Sequence, residues 1–303
     1  MNPKMWSKNQ RRSSLRRALL WIALFGLHEV TPSQAVQIVS SGMYSYNTND
    51  NIGLSVSGWS NGWGSGGGGW NYVGAVNDAS GVYLGNNWVL TAAHVNNPSS
   101  FTLNGNVYNA TGVSYTNFTN SLTGTANADL NLFQILGTST TGTNISLPPL
   151  SLSSSVPALG GTVVMIGYGG ASGQASESWG TNTVYSRTQY PVSVSGYQSI
   201  DFATLNSGQN YASVVLGDSG GGVFMKIGST WQLAGISEAI ISYTSTNPLT
   251  GTNYTGSAFV QLGTYNAQIS AIVNAVPEPS FAGLLGISFL VFVYLIIRRP
   301  RDA

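Results

Sequence analysis

The sequence predicts an all-β protein, folded as an antiparallel barrel or sandwich. Short runs of β-branched and aromatic residues recur between clusters of Gly, Asn, Ser and Thr. The regular alternation of strands and helices that a parallel α/β sheet requires does not occur in the pattern. The predicted strands are residues 72–76, 82–84, 88–91, 130–136, 162–166, 212–215, 223–226 and 231–236.

Composition excludes several classes of protein. Only 7% of the 303 residues are charged, whereas about a quarter is usual for a soluble domain. The apolar content of 42% excludes disorder driven by charge, and the absence of cysteine excludes a disulfide scaffold and any Cys-ligated metal site. Residues 36–276 hold two basic residues against seven acidic ones, so we expect no nucleic-acid partner.

Residues 1–35 have the pattern of a signal peptide. Six basic residues stand against one acidic residue, an apolar stretch follows at 18–27, and small residues at Ser33 and Ala35 suit cleavage after Ala35. The alternative is an uncleaved anchor, but ten apolar residues are too few to span a bilayer. We therefore expect an exported protein.

A segment rich in Gly and Trp, residues 36–71, precedes the predicted strands. Its part from 58 to 70 is of low complexity and is predicted to be a loop or a lead-in. Trp59, Trp63 and Trp70 would stack on carbohydrate or, as is more usual, cover apolar surface.

One helix is predicted late in the chain, near residues 265–275. Ile269, Ile272, Val273 and Val276 recur at helical spacing. Thr264 is a candidate N-cap.

The end of the chain carries three ordered features. Pro277-Glu278-Pro279 precedes the apolar run 281–297, which is followed by three arginines. Seventeen apolar residues reach the lower limit for a transmembrane helix, and the arginines should stay cytoplasmic.

Residues 276–303 thus resemble the PEP-CTERM sorting tail of exopolysaccharide-producing Gram-negative bacteria. The resemblance implies transient anchoring in the inner membrane and a cut near 277–279 by an exosortase-type enzyme. It further implies release to the cell envelope or extracellular matrix. The alternative is a permanent C-terminal anchor.

Two motifs carry the chemistry. His94 is the only histidine after residue 35, and it ends the predicted strand 88–91 through Thr-Ala-Ala-His. Ser219 lies within Gly-Asp-Ser-Gly-Gly, where glycines permit a tight turn that points N–H groups and the hydroxyl at one place. Acyl transfer needs a serine, a base and N–H donors in that arrangement.

The order of these residues separates the possible hydrolase classes. The serine elbow of α/β-hydrolases is excluded because no histidine follows Ser219. A subtilisin-like order through Asp50 or Asp78 stays open in principle, although the strand-rich pattern disfavours it.

The acid that orients His94 is expected between His94 and Ser219. The candidates there are Asp129, Glu177, Asp201 and Asp218. Asp129 is preferred because it opens an alternating strand that can bring a buried carboxylate under the imidazole. The alternative for Asp129 is a simple turn residue before a strand.

At this point the chain resembles the chymotrypsin/trypsin-like serine proteases over residues 72–275. Residues 88–94, 129–130 and 217–221 resemble the family's histidine, aspartate and serine motifs, and 165–169 its strand ending in Gly-aromatic-Gly. The resemblance implies two antiparallel six-stranded β-barrels with a C-terminal helix. It also implies a triad of His94, Asp129 and Ser219, an oxyanion hole from the N–H groups of Gly217 and Ser219, and no cofactor or metal.

The chain also departs from that family. Many secreted relatives are activated by a cut after Lys or Arg, whose new N-terminus pairs with the aspartate matching Asp218. No Lys or Arg occurs between Arg17 and Arg187, so either an N-terminus near Val36 takes that part or Asp218 is held otherwise. Ser213 matches the base of the specificity pocket, which implies a preference for uncharged or apolar residues.

The leading hypothesis is an exported serine endopeptidase acting on protein or peptide substrates. The alternative is a non-catalytic envelope, matrix or adhesion protein on a protease fold, suggested by the Gly/Asn/Ser/Thr-rich composition and the tail. A protein that only binds has no physical need for a triad, which favours the enzyme.

Overall fold

The computed structural model describes residues 35–40, 43–63, 68–169, 176–187, 191–206, 211–246 and 253–275. These residues all belong to one compact unit, Pro32–Ala303. The predicted signal peptide, apart from Ala35, and the whole predicted sorting tail, including its transmembrane helix, lie outside the described residues. Within the described ranges, no helix is long and apolar enough to cross a membrane.

The N-terminal part of the described chain consists of short elements. These are β1 (Gln37–Ser40), β2 (Met43–Ser45) and the single-turn helix α1 (Ile52–Ser55). A 3-10 turn at Gly69–Tyr72 leads into the first barrel.

The first barrel is a closed antiparallel sheet in the order β3-β4-β5-β8-β7-β6. Its strands are β3 (Val73–Val76), β4 (Ala79–Gly85), β5 (Trp88–Thr91), β6 (Ser100–Leu103), β7 (Asn106–Tyr115) and β8 (Asn131–Ile135). Asparagines with positive φ, Asn77, Asn86, Asn87 and Asn104, form the tight connections between its hairpin strands. Asparagine tolerates this backbone region better than most side chains.

The second barrel is closed in the order β10-β13-β17-β16-β15-β9, and a helix follows it. Its region contains β9 (Thr162–Gly167), β10 (Ser178–Arg187), β11 (Val192–Val194), β12 (Tyr197–Ser199), β13 (Asp201–Asn206), β14 (Tyr211–Ser213), β15 (Gly222–Ile227), β16 (Thr230–Thr246), β17 (Asn253–Gln261) and α2 (Leu262–Val273). Strands β11 and β12 form a hairpin outside the barrel, and β14 pairs with β1, which pairs with β2. The predicted all-β fold with two six-stranded barrels and a C-terminal helix is confirmed.

The predicted start of the C-terminal helix is wrong by three residues. Helix α2 begins at Leu262, and its N-cap is Gln261 rather than Thr264. Strand β17 runs directly into the helix, so the last strand residue takes the cap position without a side-chain cap bond. Thr264 lies in the first turn, where its Oγ1 accepts a 2.9 Å hydrogen bond from Gln261 Nε2.

The tryptophans before the first barrel pack against the second barrel. Trp59 is only 2% exposed, and its ring centroid lies 4.6 Å from that of Trp63 and 4.8 Å from that of Trp231. Phe224 meets it edge-on at 6.0 Å. Trp59 thus covers apolar surface and offers no open face on which a sugar ring could stack.

Candidate active site

His94 is delivered by the end of a buried strand of the first barrel. Val89 and Leu90 of β5 are fully buried, and they anchor the strand in the barrel core. After Thr91 the chain enters a 3-10 turn at Ala93–Val95. The turn leaves the His94 side chain 21% exposed, which is enough for the ring to meet a substrate.

Asp129 stands next to His94 because β5 and β8 are antiparallel neighbours. Thr91 at the end of β5 pairs with Asn131 at the start of β8. The residues that extend both strands, His94 and Asp129, therefore meet at the same end of the sheet. Asp129 is fully buried, so water does not compete for its carboxylate.

The three predicted triad residues are brought together. Asp129 Oδ1 accepts the backbone N–H of His94 at 2.8 Å, and Asp129 Oδ2 lies 2.5 Å from His94 Nδ1. On the other side of the ring, His94 Nε2 lies 2.8 Å from Ser219 Oγ. A proton on Nδ1, where the carboxylate accepts it, leaves Nε2 as an acceptor for the serine hydroxyl.

The surroundings of His94 raise its pKa. Burial acts to lower the pKa, but the hydrogen bond to Asp129, its negative charge and a further contribution from Glu238 raise it above the usual 6.5. The imidazolium form is therefore stabilised, which is the form that an imidazole acting as a base would adopt.

Ser219 sits in a turn that glycines make possible. Gly217 and Gly220 have φ values of +95° and +84°, where residues with a Cβ are strained. A Cβ on Gly220 would also overlap the carbonyl oxygen of Ser80. The turn can approach the first barrel this closely only because that residue is glycine.

Ser80 of β4 holds the serine turn from the opposite barrel. Its N–H donates to the Ser219 carbonyl at 2.8 Å, and its hydroxyl donates to the Gly217 carbonyl at 3.2 Å. The same hydroxyl accepts the Tyr168 N–H at 2.8 Å. Sequence reasoning missed Ser80, because a serine in a Gly-rich strand start carries no signal of a contact 137 residues away.

The predicted oxyanion hole consists of the backbone N–H groups of Gly217 and Ser219. Within the described part of the chain, neither the Gly217 N–H nor the Ser219 N–H donates to another group of the protein. Both residues line a cavity of about 200 Å³ together with His94. Two N–H groups beside a serine hydroxyl can stabilise a negatively charged oxygen that forms on a substrate carbonyl.

The other predicted residues occupy different places. Ser213 is buried at the end of β14, where it pairs with Gln37, and it is not among the residues lining the cavity. Asp78 lines the cavity, but the carboxylate that contacts His94 is that of Asp129. The structure therefore does not have the subtilisin-like order through Asp50 or Asp78.

Asp218 is buried directly behind the serine turn. Its Oδ2 accepts the Val215 N–H at 2.8 Å. Burial raises its pKa to about 7, although the N–H groups of Val215, Val36 and Gly169 act to lower it. The backbone of Val36 therefore lies beside this carboxyl group, as one of the two sequence-based alternatives requires.

The sequence matches a family of known proteins. Residues 79–236, just over half of the 303, match the family model described as "Trypsin-like peptidase domain". The chain belongs to this family. The matched region of this trypsin-like peptidase contains His94, Asp129 and Ser219.

The comparisons with individual proteins gave one result for sequences and another for structures. No curated protein sequence matches this trypsin-like peptidase. Among solved structures, it resembles Rv3671c from M. tuberculosis H37Rv, crystallised as a serine-to-alanine mutant in an inactive form. The TM-score is 0.46 at 16% identity, covering 80% of this chain and 99% of that chain.

Proposed function

We propose that the protein is an exported serine endopeptidase in which Ser219, His94 and Asp129 form the catalytic triad. The observation that carries the proposal is the continuous series of short contacts from Ser219 Oγ through the His94 ring to the buried Asp129 carboxylate. Membership of the trypsin-like peptidase family supports it.

The acylation step uses each group once. Ser219 Oγ attacks the scissile carbonyl carbon while His94 Nε2, at 2.8 Å, takes the hydroxyl proton. Asp129 stabilises the imidazolium through Nδ1. The carbonyl oxygen becomes negatively charged and receives the N–H groups of Gly217 and Ser219. His94 then protonates the leaving amine, the C–N bond breaks, and the acyl group stays on Ser219.

Deacylation repeats the sequence with water. His94 removes a proton from water, the hydroxide oxygen bonds to the acyl carbon, and the same N–H groups stabilise the negative oxygen. Ser219 Oγ leaves with the proton from His94, which restores the free enzyme and releases the carboxylate product.

The proposed substrate preference is for an uncharged or apolar residue before the scissile bond. Ser213, six residues before the nucleophile, is uncharged and buried. Its neighbour Val214 donates its N–H to the buried Ser257 hydroxyl at 3.1 Å. None of these three side chains supplies a carboxylate that could pair with Lys or Arg of a substrate.

The proposed export route uses both ends of the chain. Residues 1–35 would be removed as a signal peptide, and 276–303 would anchor the chain in the inner membrane until an exosortase-type enzyme cuts it. The segment 36–71 and the protease domain 72–275 would then reach the envelope or matrix of a Gram-negative cell. Mass determination of both termini of the secreted protein tests this route; an intact residue 1 or 303 would contradict it.

The activity is tested with peptide libraries and an active-site label. We expect hydrolysis and labelling of Ser219 by a fluorophosphonate, and loss of both in Ser219→Ala. Thr138→Ala, which changes an exposed hydroxyl-bearing residue in the segment after β8, is the matched control. Folded wild-type protein that neither cleaves nor reacts would overturn the proposal.

A further inference from the structure

Two buried carboxyl groups lie behind the proposed triad, outside the steps described above. Asp201 begins β13 and Glu238 lies within β16, and the two side chains are 1% and 3% exposed. The two carboxyl groups are close enough that each shifts the pKa of the other. A hydrogen bond between two carboxyl groups would require that one of them be protonated.

The pair is connected to Asp129 through Ser199. The Ser199 hydroxyl accepts the Asp129 N–H at 2.9 Å, and it lies 2.9 Å from Glu238 Oε1. Ser199 is fully buried, so the hydroxyl cannot turn towards solvent. Since its oxygen accepts from Asp129, its proton is free to donate to Glu238.

Burial and mutual repulsion decide the proton count of the pair. Burial raises the pKa of Glu238 well above its ordinary value, and the negative charge of Asp201 raises it further. Burial raises the pKa of Asp201 to about 7, while the hydrogen bond from Glu238 acts to lower it. Two ionised carboxylates would repel each other without water between them, so the pair does not carry two negative charges; with the proton on Glu238, the single charge lies on Asp201.

We propose that Glu238 and Asp201 are positioning residues that fix Asp129, and through it His94, by way of the Ser199 hydroxyl. This inference rests on the proposed function, because it concerns the same triad. Glu238 supplies the acceptor that orients Ser199, and Ser199 in turn holds the backbone of Asp129. The Asp129 carboxylate hydrogen-bonds to both the backbone N–H and the ring Nδ1 of His94.

The charge of the pair also reaches His94. The titratable groups near the Asp201–Glu238 pair are Asp129, His94 and Tyr265. The Tyr265 hydroxyl accepts the Ile200 N–H at 3.1 Å. Burial first, with nearby charges contributing, raises the pKa of Tyr265 to about 12, so this hydroxyl stays neutral. Glu238 acts together with Asp129 to raise the pKa of His94, and a negative charge shared across the hydrogen-bonded pair would stabilise the His94 imidazolium in the same way.

Three single substitutions in the full chain separate these effects. Ser199→Ala removes the connection, and we expect kcat to fall about tenfold with KM unchanged, because the Asp129 backbone loses its buried hydrogen bond and Asp129 can shift away from His94. Glu238→Gln keeps the acceptor for Ser199, a donor to Asp201 and the net charge. It should retain kcat within about twofold and leave the pH profile unchanged.

Asp201→Asn keeps the hydrogen bonds but removes the charge. We expect the pKa seen in kcat/KM to fall measurably, with the rate above pH 8 unchanged. Urea unfolding of each variant shows whether it folds. If Glu238→Gln does not fold, the pH profile of Asp201→Asn still tests the influence of the pair's charge on His94, and the kcat of Ser199→Ala still tests the positioning role.

The outcomes distinguish this inference from the proposed function. Wild-type protein is first labelled with a fluorophosphonate, and a lack of labelling overturns the proposed function itself. Once the wild type has been shown to react with the label and, in unlabelled form, to cleave peptides, the variants can be compared with it. A kcat in Ser199→Ala equal to that of the wild type overturns the positioning role. A fall in the kcat of Glu238→Gln equal to that in Ser199→Ala overturns the assignment of the proton to Glu238. An unchanged pH profile of kcat/KM in Asp201→Asn overturns the influence of the pair's charge on the pKa of His94.

Discussion

Cleavage after Ala35 is predicted to stabilise the folded protein by placing a positive charge beside a buried carboxyl group. The Asp218 side chain is enclosed, and the Val36 N–H is one of three backbone donors that face it. Ala35 and Val36 are themselves buried. A cut between them would turn the Val36 amide into an α-ammonium group at the same place.

The size of the effect follows from the pKa of Asp218. Burial raises that pKa from 3.8 to about 7, which corresponds to a cost of about 4 kcal/mol for ionising the group in the folded state. Because the folded-state pKa is raised, the uncut protein loses stability as pH rises from about 4 to about 7. An ammonium group lowers the pKa of Asp218 and removes this loss.

The assay compares a chain that starts at Val36 with one that retains Ala35 and a preceding glycine. Urea unfolding at pH 7 should show the Val36 form more stable by up to about 4 kcal/mol, and the difference should shrink towards pH 4. The matched control is Asp218→Asn in both chains, where the difference should vanish. Equal stability of the two chains at pH 7, or a difference that persists in Asp218→Asn, would contradict the predicted pairing of the Val36 ammonium group with Asp218.

Three further predictions concern the turn, the base and the substrate. Gly220→Ala should lower the free energy of unfolding in urea by several kcal/mol or abolish activity, because the added Cβ would overlap the Ser80 carbonyl oxygen. The control Gly228→Ala, at φ +61° with open space around it, should cost only about 1 kcal/mol. Equal losses of stability in the two variants would contradict the close approach of Gly220 to Ser80. The value of kcat/KM should rise with pH through a pKa above 6.5, since the pKa of His94 is raised; a flat profile between pH 6 and 8 would exclude His94 as base. Peptides with an uncharged residue before the scissile bond should be cleaved at least about tenfold faster than those with Lys or Arg, and the reverse order would contradict the assignment of Ser213.

The fold was predictable where strands are built from apolar β-branched residues. Strands β4, β5 and β9 have nearly every residue buried, and apolar runs mark them in the sequence. Strands β7 and β10 escaped prediction because Asn, Ser, Thr and Gly, which are common in turns, interrupt their apolar residues. Their strand conformation comes from pairing with barrel neighbours rather than from local preference.

The site was predictable where chemistry demands a particular residue type. His94, Asp129 and Ser219 were found because few residues can act as base, orienting acid and nucleophile, and the structure brings all three together. Their supporting residues were not found. Glu238 follows Ser219 in the chain, so it was not among the acids expected between the histidine and the serine.

The remaining support comes from the tertiary structure alone. Ser80 on β4 reaches the serine turn, and Ser199 on β12 reaches Asp129, across sequence separations of 137 and 70 residues that only the tertiary fold closes. Asp201 was a candidate for the orienting acid, yet it lies one step further back, against Glu238. No spacing in the sequence distinguishes these two positions.

The central claim is that Ser219 is a nucleophile activated by His94. The most direct measurement is mass spectrometry of the protein after reaction with a fluorophosphonate, which reacts with an activated serine. We expect a single adduct on Ser219 in the wild type, none in Ser219→Ala, and greatly slowed labelling in His94→Ala, which removes the base. Folded wild-type protein without an adduct, or labelling of His94→Ala at the wild-type rate, would contradict it.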